Sequence, residues 1–441
     1  MRLVDQLKRI SQKRFVRDVS ILQFGNLFSF GLAAINSIVF ARLLGSENYG
    51  VYSLAFAFFG LVGIFMNVGV NYTVLTLLPA AYAKKDKKEV TNILSYCFYI
   101  LILIFLTVGL LAIGLAPFFA KLLYHQMAIG QLARYLILAS NINILFFMVT
   151  SILQSIRKIK NLTLYENLNK LIYLVMPVFF ILLGFGVWGI VFGHFISSIV
   201  FFIASFFYFE YLAAKNEFIP SFGEMIKNFK EVDFKRYFKL GFLVAMDKNL
   251  NNLYTILPVT FLGMLAASVS QVSYFKIATG YLALPALFLT PIARILTVQL
   301  PKSLVYGGKI FKDNFRKSSL VSGLLFILLL VPFVALAPFL IKLFYGHEYE
   351  PAAKLVYFVF LGDVFFGFTV GYSSFFRTLN KLKSFIVSDL LMILTGILFF
   401  FVISHFLSPL RSVMILFVYF NVGVALVQGA LIVKYFKEIK D

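Results

Sequence analysis

Charged residues and cysteine are scarce in this sequence. Only 13% of the residues are charged while 61% are hydrophobic, so there is too little polar surface to cover a water-soluble globule. The single cysteine, Cys97, lies inside an apolar run, which excludes both a disulfide framework and a thiolate metal site. The histidines are far apart and lack ligand-like spacing; they are His125, His194, His347 and His405. These shortages predict an integral membrane protein without a metal centre.

Acidic residues are also few. They number 19 against 40 lysines and arginines, which gives a net charge of +21. The basic residues are spread over many short loops and form no stripe with interleaved aromatics, so nucleic acid is not the expected partner. The basic N-terminal segment, residues 1–17, precedes an apolar run that is too long for a signal-peptide core and lacks a small-residue cleavage site. We expect this run to be an uncleaved first span.

Long apolar runs divide the chain into twelve candidate spans of about 20 residues or more, the length that crosses a bilayer. They lie near 19–42, 49–78, 92–116, 133–156, 162–183, 186–208, 238–262, 268–292, 317–340, 352–376, 384–405 and 411–433. With the N-terminus inside, 31 of the 40 basic residues fall on the cytoplasmic side and six outside. One missed span would reverse this asymmetry. The pattern predicts a multi-pass protein of the cell membrane with both termini in the cytoplasm.

Two sequence segments recur at nearly equal intervals. Residues 116–125 read APFFAKLLYH and residues 337–345 read APFLIKLFY, while the basic turn at 157–160 recurs at 380–383. Both pairs occupy matching places in the order of spans, which indicates a parallel repeat. The expected fold is all-α, with a six-helix bundle over 1–208, a cytoplasmic amphipathic linker over 209–239 and a second six-helix bundle over 240–441.

Polar and charged side chains inside apolar spans are the candidate functional residues. An ionised group at the bilayer centre costs about 2.5–3.5 kcal/mol on insertion scales, so such groups should face protein or water. We expect a hydrated central cavity that holds a phosphate or pyrophosphate, and its candidate substrate-binding residues are Lys248, Lys276, Asp247, Asn252, Asn26, Arg42, Arg294 and Lys170.

Asn251 and Asp389 also lie inside apolar spans. Simpler roles are open for several of these residues. Lys170, Arg294 and Asp389 could reach the headgroups by snorkelling. Asp247 could neutralise Lys248, although adjacent helical residues point about 100° apart and pair poorly. Polar residues of the first span, among them Asn26 and Ser29, could simply form interhelical hydrogen bonds.

Catalytic motifs and nucleotide-binding loops do not occur in the sequence. We therefore expect neither an enzyme nor direct ATP drive, and no cofactor beyond a coupling ion, H⁺ or Na⁺. The outer loops are too short to hold the large external loop that a glycan polymerase or ligase would need.

Residues 40–55, FARLLGSENYGVYSLA, resemble the first-loop signature of the polysaccharide-transporter family. This family includes O-antigen-type flippases and belongs to the multidrug/oligosaccharidyl-lipid/polysaccharide (MOP) exporter superfamily. The basic turn after the fourth span and residues 291–294 are also similar to it.

The resemblance implies two six-helix lobes, as in multidrug (MATE) exporters, that open alternately to each membrane face. They would translocate a polyprenyl-(pyro)phosphate-linked oligosaccharide for cell-surface polysaccharide biosynthesis, alongside glycan polymerase and assembly proteins. It also implies that cavity cations hold the pyrophosphate, which suits Lys248 and Lys276. Arg42 and Arg294 lie within the matching motifs.

Two other functions compete with this one. A flippase for the peptidoglycan precursor lipid II would differ mainly in the headgroup that its cavity accepts. A cation-coupled multidrug exporter of the same superfamily would need a buried acid in the first six spans, and these offer little beyond Glu166 at an edge.

Overall fold

The computed structural model describes residues 2–439, with side chains at 17 and from 20 onward. The side chains of the other five N-terminal cations used for the topology, and that of Lys440, therefore lie outside the described part of the chain. Helices dominate, and no strand occurs between residues 2 and 439.

The helices, in chain order, are α1 (Arg2–Met66), α2 (Val70–Ala83), α3 (Lys87–Ile104), α4 (Leu110–Tyr124), α5 (Met127–Ile142), α6 (Ile144–Ser155), α7 (Ile159–Phe180), α8 (Gly186–Lys215), α9 (Phe222–Lys227), α10 (Phe234–Leu265), α11 (Ser270–Leu282), α12 (Thr290–Val305), α13 (Gly308–Tyr345), α14 (Glu350–Asp363), α15 (Phe366–Thr369), α16 (Tyr372–Thr378), α17 (Leu382–Ile403) and α18 (Pro409–Glu438). Short π-helical segments lie at Phe105–Gly109 and Ile181–Phe185, and 3-10 turns at Asn228–Glu231, Pro285–Leu289 and His347–Tyr349.

Within the described part of the chain, eight helical segments are long and apolar enough to cross a membrane, and the bent pair α5 and α6 adds a ninth. Two of the eight, Ser20–Met66 with 47 residues and Ile159–Lys215 with 57, are too long for one crossing, because about 20 residues span a bilayer. The first is interrupted at Gly45 (φ 73°) and the second at Gly184 (φ 92°), conformations that glycine adopts without strain. Each therefore forms two crossings, and the polar helix α10 completes the twelve.

Left-handed backbone turns recur at the interval of the sequence repeat. Non-glycine residues rarely adopt positive φ, yet each of the four that do so among residues 2–439 has a counterpart with positive φ in the other half. The pairs are Lys85 with Gly307, His125 with Gly346, and Arg157 with Asn380, and the three intervals are nearly equal. The turns thus follow matching helices in each half, which supports an origin by duplication.

Interrupted spans recur in the same way. The second span breaks between α1 and α2 and the eighth between α11 and α12. The fourth span breaks between α5 and α6 and the tenth between α14 and α16. Helix breaks inside a membrane are tolerated where the freed backbone groups are buried in protein. Breaks at matching places in the two halves are a further sign of the repeat.

The chain packs as two compact units. Unit 1 comprises Met1–Leu43, Val62–Lys121 and Gln126–Met246, and unit 2 comprises Leu44–Leu61, Leu122–His125 and Asp247–Asp441. This division is by packing and not by sequence half, because the first part of the second span belongs to unit 2. The bounds 1–208, 209–239 and 240–441 stay a prediction about the repeated halves.

The segment Leu44–Leu61 is held in unit 2 by close backbone packing. A Cβ atom at Gly50 would overlap the carbonyl oxygen of Val269, so only glycine permits this approach. The backbone N–H of Ser46 donates to the carboxylate of Glu348 at 2.7 Å, which satisfies an N–H group at the start of the helix after Gly45.

The linker between the halves docks on α3 in unit 1. Ser221 and Glu224 form a capping box that starts α9, and the Glu224 carboxylate lies 3.0 Å from Lys87 Nζ. The Ser95 hydroxyl donates to the carbonyl oxygen of Met225, whose side chain is fully buried. Just beyond the linker, a Cβ at Gly241 would overlap the carbonyl of Gly69, the N-cap residue of α2.

Candidate functional site

The buried acidic residue of α10 is paired with a distant arginine. Asp247 is 1% exposed, and its Oδ2 accepts from Arg377 Nη2 at 2.9 Å. Asn251, one turn further along α10, donates to Asp247 Oδ1 at 3.2 Å and to its backbone carbonyl at 2.7 Å. Arg377 is positioned by the last turn of α16. The ion pair and the amide together compensate the desolvation of this carboxylate.

A second buried carboxylate, that of Asp389 on α17, has only neutral donors. Asp389 is 0% exposed, and its Oδ1 accepts from the hydroxyl of Tyr254 at 2.8 Å and from Gln428 Nε2 at 2.8 Å. Its Oδ2 is buried and has no hydrogen-bond partner among the described residues. Tyr254 follows Asp247 by two helical turns, so one face of α10 carries Asp247 and also contacts Asp389.

The predicted cations of unit 2 lie outside this buried network. Lys248 and Asn252 are exposed and share the next face of α10, because residues four apart in a helix are neighbours. Lys276 is half-buried on α11 and Arg294 is exposed on α12. Asp247 is thus paired with Arg377, and the prediction that Lys248 could neutralise it is wrong.

The candidates in unit 1 lie on α1 and α7. The Ser29 hydroxyl donates to Asn167 Oδ1 at 2.6 Å, and a Cβ at Gly25 would overlap the Thr163 side chain, so the two helices are in close contact here. Asn26 is half-buried beside this contact, Lys170 is exposed one turn beyond Asn167, and Arg42 is exposed on α1. Interhelical hydrogen bonding, the simpler role of these polar residues, is confirmed for Ser29.

Snorkelling is wrong for Asp389, because that carboxylate is fully enclosed by protein. Lys170 and Arg294 are exposed, so snorkelling stays an alternative for them.

Three residues of the buried network are not among the candidates that the sequence suggests. The sequence places Arg377 in a basic turn, where nothing distinguishes it from its neighbours. The spacing of Tyr254 from Asp247 puts both on one helical face, and Gln428 is a polar residue in an apolar span. These two signals could have found Tyr254 and Gln428.

Among the described side chains, no group of three or more histidine, cysteine, aspartate or glutamate residues could hold a metal ion. Cys97 is buried and forms no disulfide.

Comparison with known proteins identifies both family and fold. The sequence model described as "Polysaccharide biosynthesis protein" matches residues 15–301, which is more than half of the chain. No curated protein matches the sequence.

Several solved structures share the fold. An inward-facing multidrug-resistance MATE family transporter of the MOP superfamily superposes with a TM-score of 0.71 at 15% identity, covering 92% of this chain and 95% of that one. The lipid II flippase MurJ, inward closed, gives 0.66 at 18% identity, covering 94% and 88%. An outward-facing MATE family transporter of the MOP superfamily gives 0.65 at 15% identity, covering 96% of each chain.

These likenesses confirm the predicted fold class, an all-α multi-pass membrane protein with the architecture of MOP exporters. At such low identities the solved structures establish the fold alone, whereas the match to the family model establishes family membership. The chain belongs to the family of polysaccharide biosynthesis proteins.

Proposed function

We propose that this protein is a flippase that moves a polyprenyl-(pyro)phosphate-linked oligosaccharide across the cytoplasmic membrane by alternating access, for the synthesis of cell-surface polysaccharide. The family match to polysaccharide biosynthesis proteins supports the glycan. The fold shared with a lipid II flippase and with MATE transporters supports translocation rather than catalysis.

The observation that carries the proposal is that the adjacent residues Asp247 and Lys248 of α10 have different surroundings. Its acid, Asp247, is neutralised by Arg377, so the charge of Lys248 is not cancelled by its neighbour. Lys248 and Asn252 stay exposed on the adjacent face, in a helix that the apolarity of a membrane span alone would not identify. A cation and an amide on one face of an intramembrane helix suit a phosphate oxygen.

Two other predicted cations of unit 2, Lys276 and Arg294, supply further positive charges for the proposed phosphate site. In unit 1, Arg42, Lys170 and Asn26 stay candidates for substrate contacts of that unit alone. Lys170 follows Glu166 by one helical turn, so its charge is partly balanced. Lys248 and Lys276 are therefore the residues from which we expect the largest effects.

A lipid II flippase is the alternative function, and the likeness to MurJ favours it. The two differ in the glycan, and the family match favours an oligosaccharide of surface polysaccharide. A cation-coupled multidrug exporter shares the fold, but exposed cations on α10 suit anionic lipids better than cationic drugs.

Coupling to H⁺ or Na⁺ would act at Asp389. Its Oδ1 already accepts two neutral hydrogen bonds while its Oδ2 has none among the described residues. An unpaired carboxylate buried in a membrane protein is costly, so a proton or Na⁺ on Oδ2 would stabilise it. Loss of that cation would alter the contact with Tyr254 and hence the position of α10.

The test is reconstitution of the full chain in liposomes with a fluorescent lipid-linked oligosaccharide, with chemical quenching to follow headgroup accessibility. We expect Lys248→Ala and Lys276→Ala to slow translocation by about tenfold or more, since each removes a charged hydrogen-bond donor. Lys239→Ala, on the exposed start of α10, is the matched control. Wild-type rates in both lysine variants would overturn the site, and no translocation by the wild-type protein would overturn the function.

A second measurement addresses coupling and membrane orientation. Asp389→Asn should make translocation independent of imposed pH or Na⁺ gradients, whereas Asp313→Asn, on the exposed start of α13, should not.

Because Cys97 is buried, a cysteine placed at Lys381 can be labelled selectively. We expect labelling from the cytoplasmic side, and labelling from outside would contradict the topology.

A further inference from the structure

A large groove in unit 2 lies apart from the residues discussed above. Its volume is about 850 Å³, and it runs between the start of α13, residues 365–372 and the second half of α18. This volume is within the range of about 300–1,000 Å³ that holds organic ligands. Three of its fifteen lining residues are cationic (Lys312, Arg316 and Lys437) and none of the fifteen is acidic.

The cations gather at one end of the groove. Lys312 and Arg316 are four residues apart and so share a face of α13. The Lys312 ammonium donates to the carbonyl oxygen of Ile439 at 2.9 Å, and the Arg316 guanidinium carbon lies 5.3 Å from the centre of the Phe436 ring. These contacts bring the start of α13 to the end of α18, where Lys437 also lines the groove. The distribution of basic residues predicts that this end is at the level of the cytoplasmic headgroups.

The rest of the groove is apolar and open. Phe365 and Phe368 form one wall, and the α18 wall carries the small residue Gly429 between larger apolar side chains. A Cβ at Gly429 would meet only the Tyr372 hydroxyl, at 3.3 Å, so nothing bulky fills this stretch. The Ser319 hydroxyl donates to the carbonyl of Phe368 at 2.7 Å, which leaves that polar group satisfied within the protein.

We propose that this groove binds a polyprenyl phosphate, with the terminal phosphate at the cationic end and the isoprenoid chain along the aromatic wall. A phosphate monoester carries about 1.5–2 negative charges at neutral pH, which suits a groove end lined by Arg316 and Lys437 better than a singly charged phospholipid does. The inference deepens the proposed function, on which it rests, by giving the carrier lipid its own site within unit 2.

The first test measures lipid binding to the purified full chain by native mass spectrometry, with a polyprenyl phosphate titrated against phosphatidylglycerol. We expect tighter binding of the polyprenyl phosphate, and about tenfold weaker binding in Arg316→Gln and in Lys437→Gln, because each loses a charge-assisted contact. Lys317→Gln and Lys434→Gln change cations on the same two helices that do not line the groove, and should bind like wild type. Equal binding of phosphatidylglycerol, or unchanged binding in the groove variants, would overturn the proposal.

The second test fills the apolar part without touching charge. Gly429→Leu should abolish the chain-length dependence of binding, so that long- and short-chain prenyl phosphates bind alike. Persistence of the preference for long chains would overturn the placement of the chain. Thermal unfolding in detergent checks that the variant is folded, and if it is not, the longer side chain of Ala430→Leu is used in the same assay with the same expectation.

The liposome assay separates this inference from the proposed function. The protein could bind polyprenyl phosphate in a way that depends on Arg316 and Lys437 and yet fail to translocate lipid-linked oligosaccharide. That result would support the lipid site in the groove and overturn the proposed flippase function. Translocation by the wild-type protein, together with lipid binding that does not depend on Arg316 and Lys437, would support the flippase function and overturn the lipid site in the groove.

Discussion

Arg377 places its guanidinium 2.9 Å from the carboxylate of Asp247, although 130 residues separate the two in sequence. Arg377 keeps part of its side chain in contact with solvent, whereas Asp247 is enclosed. Arg377→Ala therefore leaves a buried charge without its partner, and we expect the free energy of unfolding to fall by about 3 kcal/mol. Chemical denaturation in detergent measures this. The double variant Asp247→Asn with Arg377→Gln should be more stable than Arg377→Ala, because no charge is then left uncompensated.

An exposed ion pair provides the comparison. Lys88 lies 3.0 Å from Glu231 with both side chains largely exposed, and such pairs contribute at most about 1 kcal/mol. We expect Lys88→Ala to change stability by less than this amount. If Arg377→Ala were as mild as Lys88→Ala, the buried pair would not be stabilising unit 2.

Contact between Gly69 and Gly241 predicts a strong effect of one methyl group. A Cβ at Gly241 would overlap the carbonyl oxygen of Gly69, and forced overpacking costs about 1–3 kcal/mol. Gly241→Ala should therefore destabilise unit 1 by that amount. Gly223→Ala is the control, since Gly223 is in helix α9 and a Cβ there would have nothing within 4 Å. It should stabilise by up to about 1 kcal/mol, and equal melting temperatures for the two variants would refute the close approach.

The paired turns His125 and Gly346 predict a stabilising substitution. His125 has φ 57° and its counterpart Gly346 has φ 98°. A non-glycine residue held in this region costs on the order of 1–3 kcal/mol, and the entropic disadvantage of glycine is smaller, about 0.5–1 kcal/mol. His125→Gly should raise the free energy of unfolding by about 1 kcal/mol, while His125→Ala, which keeps the strain, should not. A loss of stability in His125→Gly would show that the imidazole has contacts worth more than the strain.

Docking of the linker on α3 should weaken in acid. The backbone N–H of Ser221 first, and then the Lys87 ammonium, lower the pKa of Glu224 below its ordinary value of 4.5. A lowered folded-state pKa means that the stabilisation is complete above 4.5 and is lost as the pH falls from there through the lowered value. Hydrogen exchange of residues 221–231 should therefore speed up over that range.

The control for the acid effect is Glu224→Gln. This variant cannot titrate, so its exchange rates in the linker should be faster at neutral pH and, once corrected for intrinsic exchange, nearly independent of pH down to the acidic range. The same acid-induced change in wild type and Glu224→Gln would assign the effect to another group.

Span number and fold class were predictable because they depend on quantities that are local in sequence. The length of an apolar run determines whether the segment can cross a bilayer. The alternation of loops rich and poor in lysine and arginine indicates how many crossings there are. The repeat was visible because Pro117 and Pro338 lie in similar surroundings. The backbone adds Lys85 and Gly307, a third matching turn that no shared motif had revealed.

The candidate site was only partly predictable, because its contacts join distant residues. The sequence singled out Asp247 by its cost in a membrane, but it could not choose Arg377 over Lys248 as partner, since that depends on how α16 packs. It also could not show that Asp389 is enclosed, because its position near a span end fits both a buried and an interfacial side chain.

The hydrogen bond from Ser46 to Glu348 joins residues 302 positions apart, so its two partners leave the ribosome at different times. At about 5–20 residues per second, synthesis of the intervening chain takes about 15–60 s. During that time Leu44–Leu61 has been translated, whereas its partners from Val269 to Glu348 are completed only in stages. The second crossing therefore gains its contacts in unit 2 one after another, and a chain that ended between Val269 and Glu348 could pack Gly50 but would lack the hydrogen bond to Ser46.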